Sequence, residues 1–298
     1  MAMRNRRRQR EMWIAYGFML PAAILVAVLM YWPMIDTFRE SLYATTFLNP
    51  NPTFIGLKTY EQLFGDSTFW QIVRNSIIWT IGVVFLQNVG GFLIALLLNQ
   101  KLPGQGILRS LILLPWVLPG VVAAILWRFM YDPQLGLINS FFMRLGIVEH
   151  GVGWLAEPST AMAAVIFAAF WKGFPFSTVV FLAALQNVDQ EQVEAAKIDG
   201  AGSLRRLFDV VIPAIWPVAV VNVLLTTILT FNYFDIICVL TRGGPLNATA
   251  IFPTRIYEVG FGQFKFGEAA AYGSLSVLVL VLFVGLLLLV QRRQVKAA

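Results

Sequence analysis

The stretch 194–217, "EAAKIDGAGSLRRLFDVVIPAIWP", lies between two of the most apolar segments of a 298-residue chain and carries charges that are sparse on either side of it. Just upstream, Asp189 followed three residues later by Gln192 resembles a capping box, which would start a helix through "QEQVEAAKI". Gly200 is expected to end that helix, because glycine accepts the left-handed backbone that closes one. Ser203 is then expected to cap a second helix, "LRRLFDVVI", which Pro213 limits or leads into the next apolar run. In that helix Leu204, Leu207, Phe208 and Val211 share one face, with Arg205, Arg206 and Asp209 on the other. A helix, a glycine corner and a second helix are suited to filling a groove on another protein. Ala195 and Ala196 permit close backbone approach and Glu194 offers an acid; a hairpin packed on the membrane face fits the same spacing.

Around this segment the chain is 58% apolar and only 13% charged, far from the composition of a soluble domain. One cysteine, Cys238, and one histidine, His150, allow no intrachain disulfide and no zinc-type cluster. A helix needs about 20 apolar residues to cross the hydrocarbon core. Six such runs are legible, near Trp13–Trp32, Ser76–Leu98, Ile107–Phe129, Thr160–Leu185, Ala214–Leu240 and Ala269–Val290. Kinks rather than breaks are expected at Pro115, Pro119 and Pro175, since neighbouring helices can satisfy the freed backbone groups.

An even number of spans puts both termini on one side. "RNRRRQR" at the start, "QRRQVK" at the end and two loops carrying Lys101, Arg109, Lys197, Arg205 and Arg206 mark that side as cytoplasmic. The inner segments hold 13 of the 22 basic residues but 6 of the 16 acidic ones. The net charge of +6 is therefore read as topology rather than nucleic-acid binding. The first apolar run is long and ends in "LMYWPMI" without a small-x-small cleavage site, so a retained helix is expected. The organisation read is a basic cytoplasmic start over 1–12, a first helix and outer loop over 13–69, a transmembrane core over 70–290 that includes a cytoplasmic segment 187–213, and a tail over 291–298. In the outer loop, "NPNPTFIGLKTYEQLF" reads as an extended stretch followed by a short interfacial helix.

"EAAKIDGAG", then Phe208, then "IPAIWP" resemble the EAA motif of the inner-membrane permease subunits of binding-protein-dependent ABC importers. "YDPQLGLIN", "GWLAEPSTA", "VLTRGGPLNAT", "IYEVGF" and "FGEAAAYGSL" are similar to outer-loop and sixth-span segments of the carbohydrate-importing branch, with the maltose-type and glycerol-phosphate-type permeases nearest in pattern. The resemblance implies an all-α membrane protein with six transmembrane helices and the type I ABC importer permease fold, in a bacterial or archaeal cytoplasmic membrane. It implies a second homologous permease, two ATPase subunits that bind ATP and Mg, and an extracytoplasmic binding protein that delivers a sugar or sugar derivative. No cofactor is expected on this chain, which has no "GxxxxGK[ST]", "HExxH" or "GxSxG"; "PGQG" at 103–106 reads as a turn. Glu194, Ala195, Ala196, Asp199, Gly200, Ala201, Phe208 and Pro213 would form the surface that couples to the ATPase, with Glu194 facing a basic residue and Asp199 bonding backbone donors at the corner.

Polar groups inside membrane spans mark cavities or helix contacts. Asn222, Thr226, Thr230 and Tyr233 recur on one helical face with Leu229 beside them, a pattern that interhelical hydrogen bonding also explains. Counted from the EAA motif, the resemblance places Thr226, Leu229, Thr230 and Tyr233, together with Lys172, Gly173 and Phe176, at sugar-contacting positions. An ammonium at Lys172 calls for an acid, a carbonyl or an anionic ligand, and Asp235 is a candidate internal partner. The alternative reading is a secondary transporter or channel with an ion pathway through Lys172 and Asp235.

Overall fold

A computed structural model describes the backbone of residues 2–100 and 103–297 and the side chains of 12–49, 52–100 and 103–289. Lys101 and the side chains of the basic start and tail lie outside the described residues. In chain order the helices are α1 (Ala2–Val26), α2 (Trp32–Glu40), α3 (Lys58–Gly65), α4 (Ser67–Leu98), α5 (Gln105–Val117), α6 (Gly120–Met130), α7 (Leu137–Arg144), α8 (Pro158–Gln186), α9 (Gln190–Ile198), α10 (Ser203–Arg206), α11 (Ile212–Phe231), α12 (Asp235–Leu240), α13 (Phe252–Tyr257) and α14 (Phe266–Ala297). A hairpin of β1 (Tyr43–Thr46) and β2 (Asn49–Phe54) lies between α2 and α3. Five helical stretches among the described residues are long and apolar enough to cross a membrane, and the bent pair α5–α6 makes a sixth if it counts as one span.

Two of the helical rods contain a π turn directly ahead of a proline. The Trp32 N–H reaches Ala27 O and the Ile212 N–H reaches Leu207 O, five residues back, just before Pro33 and Pro213, whose rings supply no N–H. The wider turn accommodates the missing donor, so α10 runs through Pro213 into α11 as one helix over Ser203–Phe231. Proline acts differently at Pro119. The third span breaks there, with α5 and α6 at 97° to each other, where a kink was expected. Leu118, the residue before the proline, is extended at φ −64° and ψ 136°, as the ring's clash with its backbone requires, and Pro119 is extended too. At the start of α6, Gly120 closely approaches the Asp235 carboxylate, and a Cβ there would overlap it.

The fifth span also departs from expectation, ending at Phe231 rather than Leu240. Asn232 Nδ2 donates to Ile228 O at 2.8 Å and Trp79 Nε1 donates to Thr230 O at 2.9 Å, so the last carbonyls are served by side chains instead of a further turn. The chain restarts as α12, packed on α6.

Contacts divide the chain into two compact units, Met1–Gly65 with Ile256–Ser276, and Asp66–Arg255 with Val277–Ala298. In the first, the extended stretch and short helix expected of the outer loop appear as β2 and α3, and β1 completes an antiparallel hairpin with Tyr43 opposite Phe54 and Thr46 opposite Asn49. Phe47 at its turn donates its N–H to Phe264 O at 3.1 Å and packs on the Phe264 ring. Buried Ser41 anchors the base of the hairpin, its Oγ 2.6 Å from the Tyr60 hydroxyl. Every side chain from Met12 to Ile35 is exposed.

The second unit is organised by α4 against α8. Gly91 lets the two backbones meet, since a Cβ there would stand 2.6 Å from Ser177 Cβ and 2.9 Å from Thr178 N. One core cluster, built on Trp79, Val83, Trp127, Val165, Ile236 and Ile251, joins α4, α6, α8 and α12. Another, built on Leu98, Phe181, Leu185 and Ile215, joins the far ends of α4 and α8 to α11. Gly91→Val is expected to force α4 and α8 apart at a cost of about 1–3 kcal/mol. Thermal unfolding of the detergent-purified protein should show this as a lowered midpoint and yield. Gly106→Ala, with nothing near its missing side chain, should show neither.

Candidate functional site

Seven of the eight residues expected at the substrate come together. Lys172, Gly173 and Phe176 of α8, Thr226, Leu229 and Thr230 of α11, and Tyr233 after it line one cavity of about 230 Å³. The α8 helix presents its three at i, i+1 and i+4, and α11 presents its own at i, i+3 and i+4. Gln87 of α4 and Trp116 of α5 complete the lining, and sequence reasoning did not single them out. Gln87 lies opposite Gly173, where a Cβ would collide with its amide, and donates to Ala169 O at 3.3 Å. Trp116 lies 6.0 Å from Phe176, ring to ring. The available signal for Gln87 was an amide pair, Gln87–Asn88, in an otherwise apolar span.

The eighth residue does not reach the cavity. Asn222 is 1% exposed and sits between three helices, donating through Nδ2 to Asn88 Oδ1 at 2.8 Å and to Ser177 Oγ at 3.1 Å. Asn88 Nδ2 in turn donates to Thr226 Oγ1 at 3.1 Å, and Thr226 Oγ1 donates to Asn222 O at 2.8 Å. Thr226 thus belongs both to this network and to the cavity wall. The interhelical hydrogen bonding weighed for the polar row is correct for Asn222 and incomplete for the rest.

Lys172 is half-buried and has no hydrogen-bond or ion-pair partner among the described residues, so its charge is available to the cavity. Asp235 does not pair with it. Its Oδ1 accepts from Ile236 N at 2.9 Å at the start of α12, and it borders a different hollow with Asn232 and Phe234. The cavity therefore presents one cation, one amide, two hydroxyl-bearing threonines, a tyrosine and two further aromatic rings. Such a mixture can hydrogen-bond hydroxyls and stack on C–H faces.

At the far end of α8 the helix–glycine–helix corner is present. Asp189 caps α9, its carboxylate accepting from Glu191 N at 2.9 Å; Gln192 makes no return bond, so the capping box is half made. Gly200 has φ +82°, with Gly200 N donating to Lys197 O and Ala201 N to Ala196 O. These two bonds are the Schellman closure of a helix. They, and not the Asp199 side chain, hold the corner, and among the described residues the Asp199 carboxylate accepts no hydrogen bond. The second helix is capped by Gly202 rather than Ser203, which already lies inside α10. Across this corner Glu194, Ala195, Phe208 and Pro213 are exposed, while Ala196 and Ala201 are half-buried beside Arg205, Arg206 and Asp209. Ile198, Leu204 and Phe208 are 86%, 72% and 61% exposed, an apolar surface set among charges.

Apolar helices around a small polar cavity, with a charged helical corner projecting at one end, define a multi-pass membrane transport subunit. Residues 87–296 match the family of binding-protein-dependent transport system inner membrane components, and the chain belongs to that family. It is 35% identical over 275 residues to the trehalose/maltose transport system permease protein MalF of Thermococcus litoralis, covering 92% of this chain and 91% of that one. It is 32% identical to the sn-glycerol-3-phosphate transport system permease protein UgpA of Yersinia pestis, again over 92% and 91%. A bacterial ABC transporter involved in import of the acidic polysaccharide alginate has the same fold, with a TM-score of 0.82 at 22% identity over 97% of this chain and 99% of the other. These relatives are transport components, and this chain likewise is not an enzyme.

Removing Asn222 tests whether its network holds the helices together. Asn222→Leu is expected to cost about 1 kcal/mol, within the span measured for hydrogen bonds between membrane helices. Unfolding of the purified protein in detergent, compared with Gln192→Ala at an exposed position, measures it.

Proposed function

We propose that this chain is the membrane-spanning permease of an ATP-driven importer of a sugar or sugar derivative, and that the cavity at Lys172, Thr226, Thr230 and Tyr233 is where it contacts substrate. The observation that carries the site is the convergence of α4, α5, α8 and α11 on one cavity with hydroxyl, amide, ammonium and aromatic groups. The family, and the sugar-transport names of two relatives, support the substrate class. The chain works beside a second homologous permease and receives substrate from an extracytoplasmic binding protein. Two ATPase subunits bind ATP and Mg on the cytoplasmic side, where both termini and the corner around Gly200 lie. No cofactor is bound by this chain.

Nucleotide-driven closure of the ATPases would move the corner, because Glu194, Ile198, Leu204 and Phe208 offer an exposed acid and apolar surface to a groove. Alternating access then follows from the helix that joins corner to cavity. Tyr233→Ala and Thr230→Leu in the assembled, reconstituted importer are expected to reduce uptake, at about 1–3 kcal/mol for each substrate hydroxyl left unpaired. Complex yield should stay normal; unchanged uptake in both variants would remove this cavity from the substrate path. Lys172→Met should depress uptake of acidic sugars more than neutral ones if the ammonium meets an anion.

The corner has its own test. Glu194→Lys and Gly200→Trp are expected to leave the protein folded and to lower substrate-stimulated ATP hydrolysis by roughly tenfold, inside the usual range of coupling free energies. Wild-type hydrolysis in both would show that the corner transmits nothing.

A further inference from the structure

A cavity of about 630 Å³ in the second unit plays no part in the substrate reading. It lies between the end of α6, the short helix α7 and the start of α8, with Met130, Ile138, Phe141, Phe142, Ala163 and Phe167 on its wall. Its polar neighbours are committed elsewhere. Tyr131 Oη donates to Ala164 O at 2.9 Å, Trp154 Nε1 to Asn139 Oδ1 at 2.9 Å, and Thr160 Oγ1 to Trp154 O at 2.9 Å. Only the exposed Ser159 hydroxyl is unengaged. A wall of this kind offers almost no hydrogen-bonding groups to a sugar's hydroxyls and too few partners to hold ordered water.

The cavity is also built rather than incidental. Asn139 of α7 is fully buried, and its side chain bonds Asp132 O, Val152 O, Val152 N and Trp154 Nε1, all near 3.0 Å. The loop ahead of it is fixed by the Asp132 carboxylate, which accepts from Leu135 N and Gln134 N; these bonds hold its pKa below the usual carboxylate value. One fully satisfied asparagine thus holds α7 over the groove, leaving Leu137 and Phe141 68% and 59% exposed.

Two features identify the occupant. The groove opens onto apolar surface of helices that qualify as membrane spans, where Leu126, Phe129 and Phe167 are exposed along α6 and α8. Arg128 and Arg144 stand in the last turns of α6 and α7, within one helical turn of lining residues, exposed and without an ion-pair partner among the described residues. Trp154 on the groove wall is a residue type that settles at headgroup depth. We propose that this groove is a phospholipid site, holding an acyl chain from the leaflet that α7 borders, with the lipid phosphate at Arg144, which stands three residues from Phe141 on the same face of α7. This rests on the chain spanning a membrane and is independent of the sugar cavity.

The assembled importer is purified in mild detergent and examined by native mass spectrometry, and it is also reconstituted in vesicles of phospholipid brominated on the acyl chains. The wild type should retain phospholipid that Ala163→Trp, which fills the groove, does not. Bromine should quench a Trp154 signal, read as the difference from Trp154→Phe. Ala163→Trp needs none of the Asn139 bonds, so the retention arm stands even if Trp154→Phe disturbs the loop. Equal retention in wild type and Ala163→Trp, with no quenching of Trp154, would overturn the proposal. So would efficient crosslinking of Phe141→Cys to the partner permease, which would make the groove a protein interface. Uptake by the same preparations separates either failure from failure of the transport reading.

Discussion

The approach of α4 to α8 at Gly91 is the constraint on which the second unit depends. Helices in lipid gain little from hydrophobic contact with each other, so backbone proximity and hydrogen bonds must hold them. With no side chain at Gly91, Ser177 of α8 comes within reach of Asn222 on α11, and Asn222 reaches Asn88 one turn along α4. The same approach aims Gln87 at Gly173 and so places an amide in the cavity. A bulkier residue at Gly91 or Gly173 would therefore disturb three helices and the cavity wall together. The polar groups of the site and those of the helix contact are neighbours in one arrangement.

Much of this was legible in the sequence, and the exceptions have physical causes. The spans were readable because length and apolarity are local properties, and the corner because only a left-handed residue makes the Schellman closure at Gly200. The break at Pro119 was not, because Pro115, Pro175 and Pro217 all stay inside helices. What distinguishes Pro119 is the glycine after it, whose missing side chain leaves room for Asp235 more than a hundred residues later. The end of α11 at Phe231 likewise depends on Trp79 reaching in from α4. Such terminations are tertiary events, and no window along the chain contains both partners.

The candidate site divides the same way. Lys172, Thr226, Thr230 and Tyr233 could be read because polar side chains in apolar helices are costly and fall on countable faces. The face alone could not separate Asn222 from Thr226, since both stand on it. The rotation of α11 against α4 and α8 decides that the asparagine enters the helix contact while the threonine borders the cavity. Trp116 gave no signal, because one tryptophan within an apolar run is ordinary.

One helix links the exposed corner to the cavity. From Ser203 to Thr230 the backbone is continuous through a π turn and two prolines, a rod of about 40 Å at 1.5 Å per residue. Its first turns carry Leu204 and Phe208 of the exposed corner, and its last carry Thr226, Leu229 and Thr230 of the cavity. The corner cannot swing alone. Val193 of α9 and Val211 at the base of the rod pack on the cluster of Leu98, Phe181, Leu185 and Ile215, which ties them to the ends of α4 and α8. Under the proposed coupling, a push at Gly200 would thereby be shared among the three helices whose side chains form most of the cavity wall. The Asn88–Asn222–Ser177 bonds then determine whether those helices shift together or slide. Hydrogen bonds there favour movement as a block, because sliding would leave buried amides unpaired in an apolar interior. The short helix α12 is separated from the rod by the stop at Phe231, yet Ile236 and Ile237 share the core cluster of Trp79 and Val165, so α12 and the α6 it packs on are tied to α4 and α8 rather than to the rod.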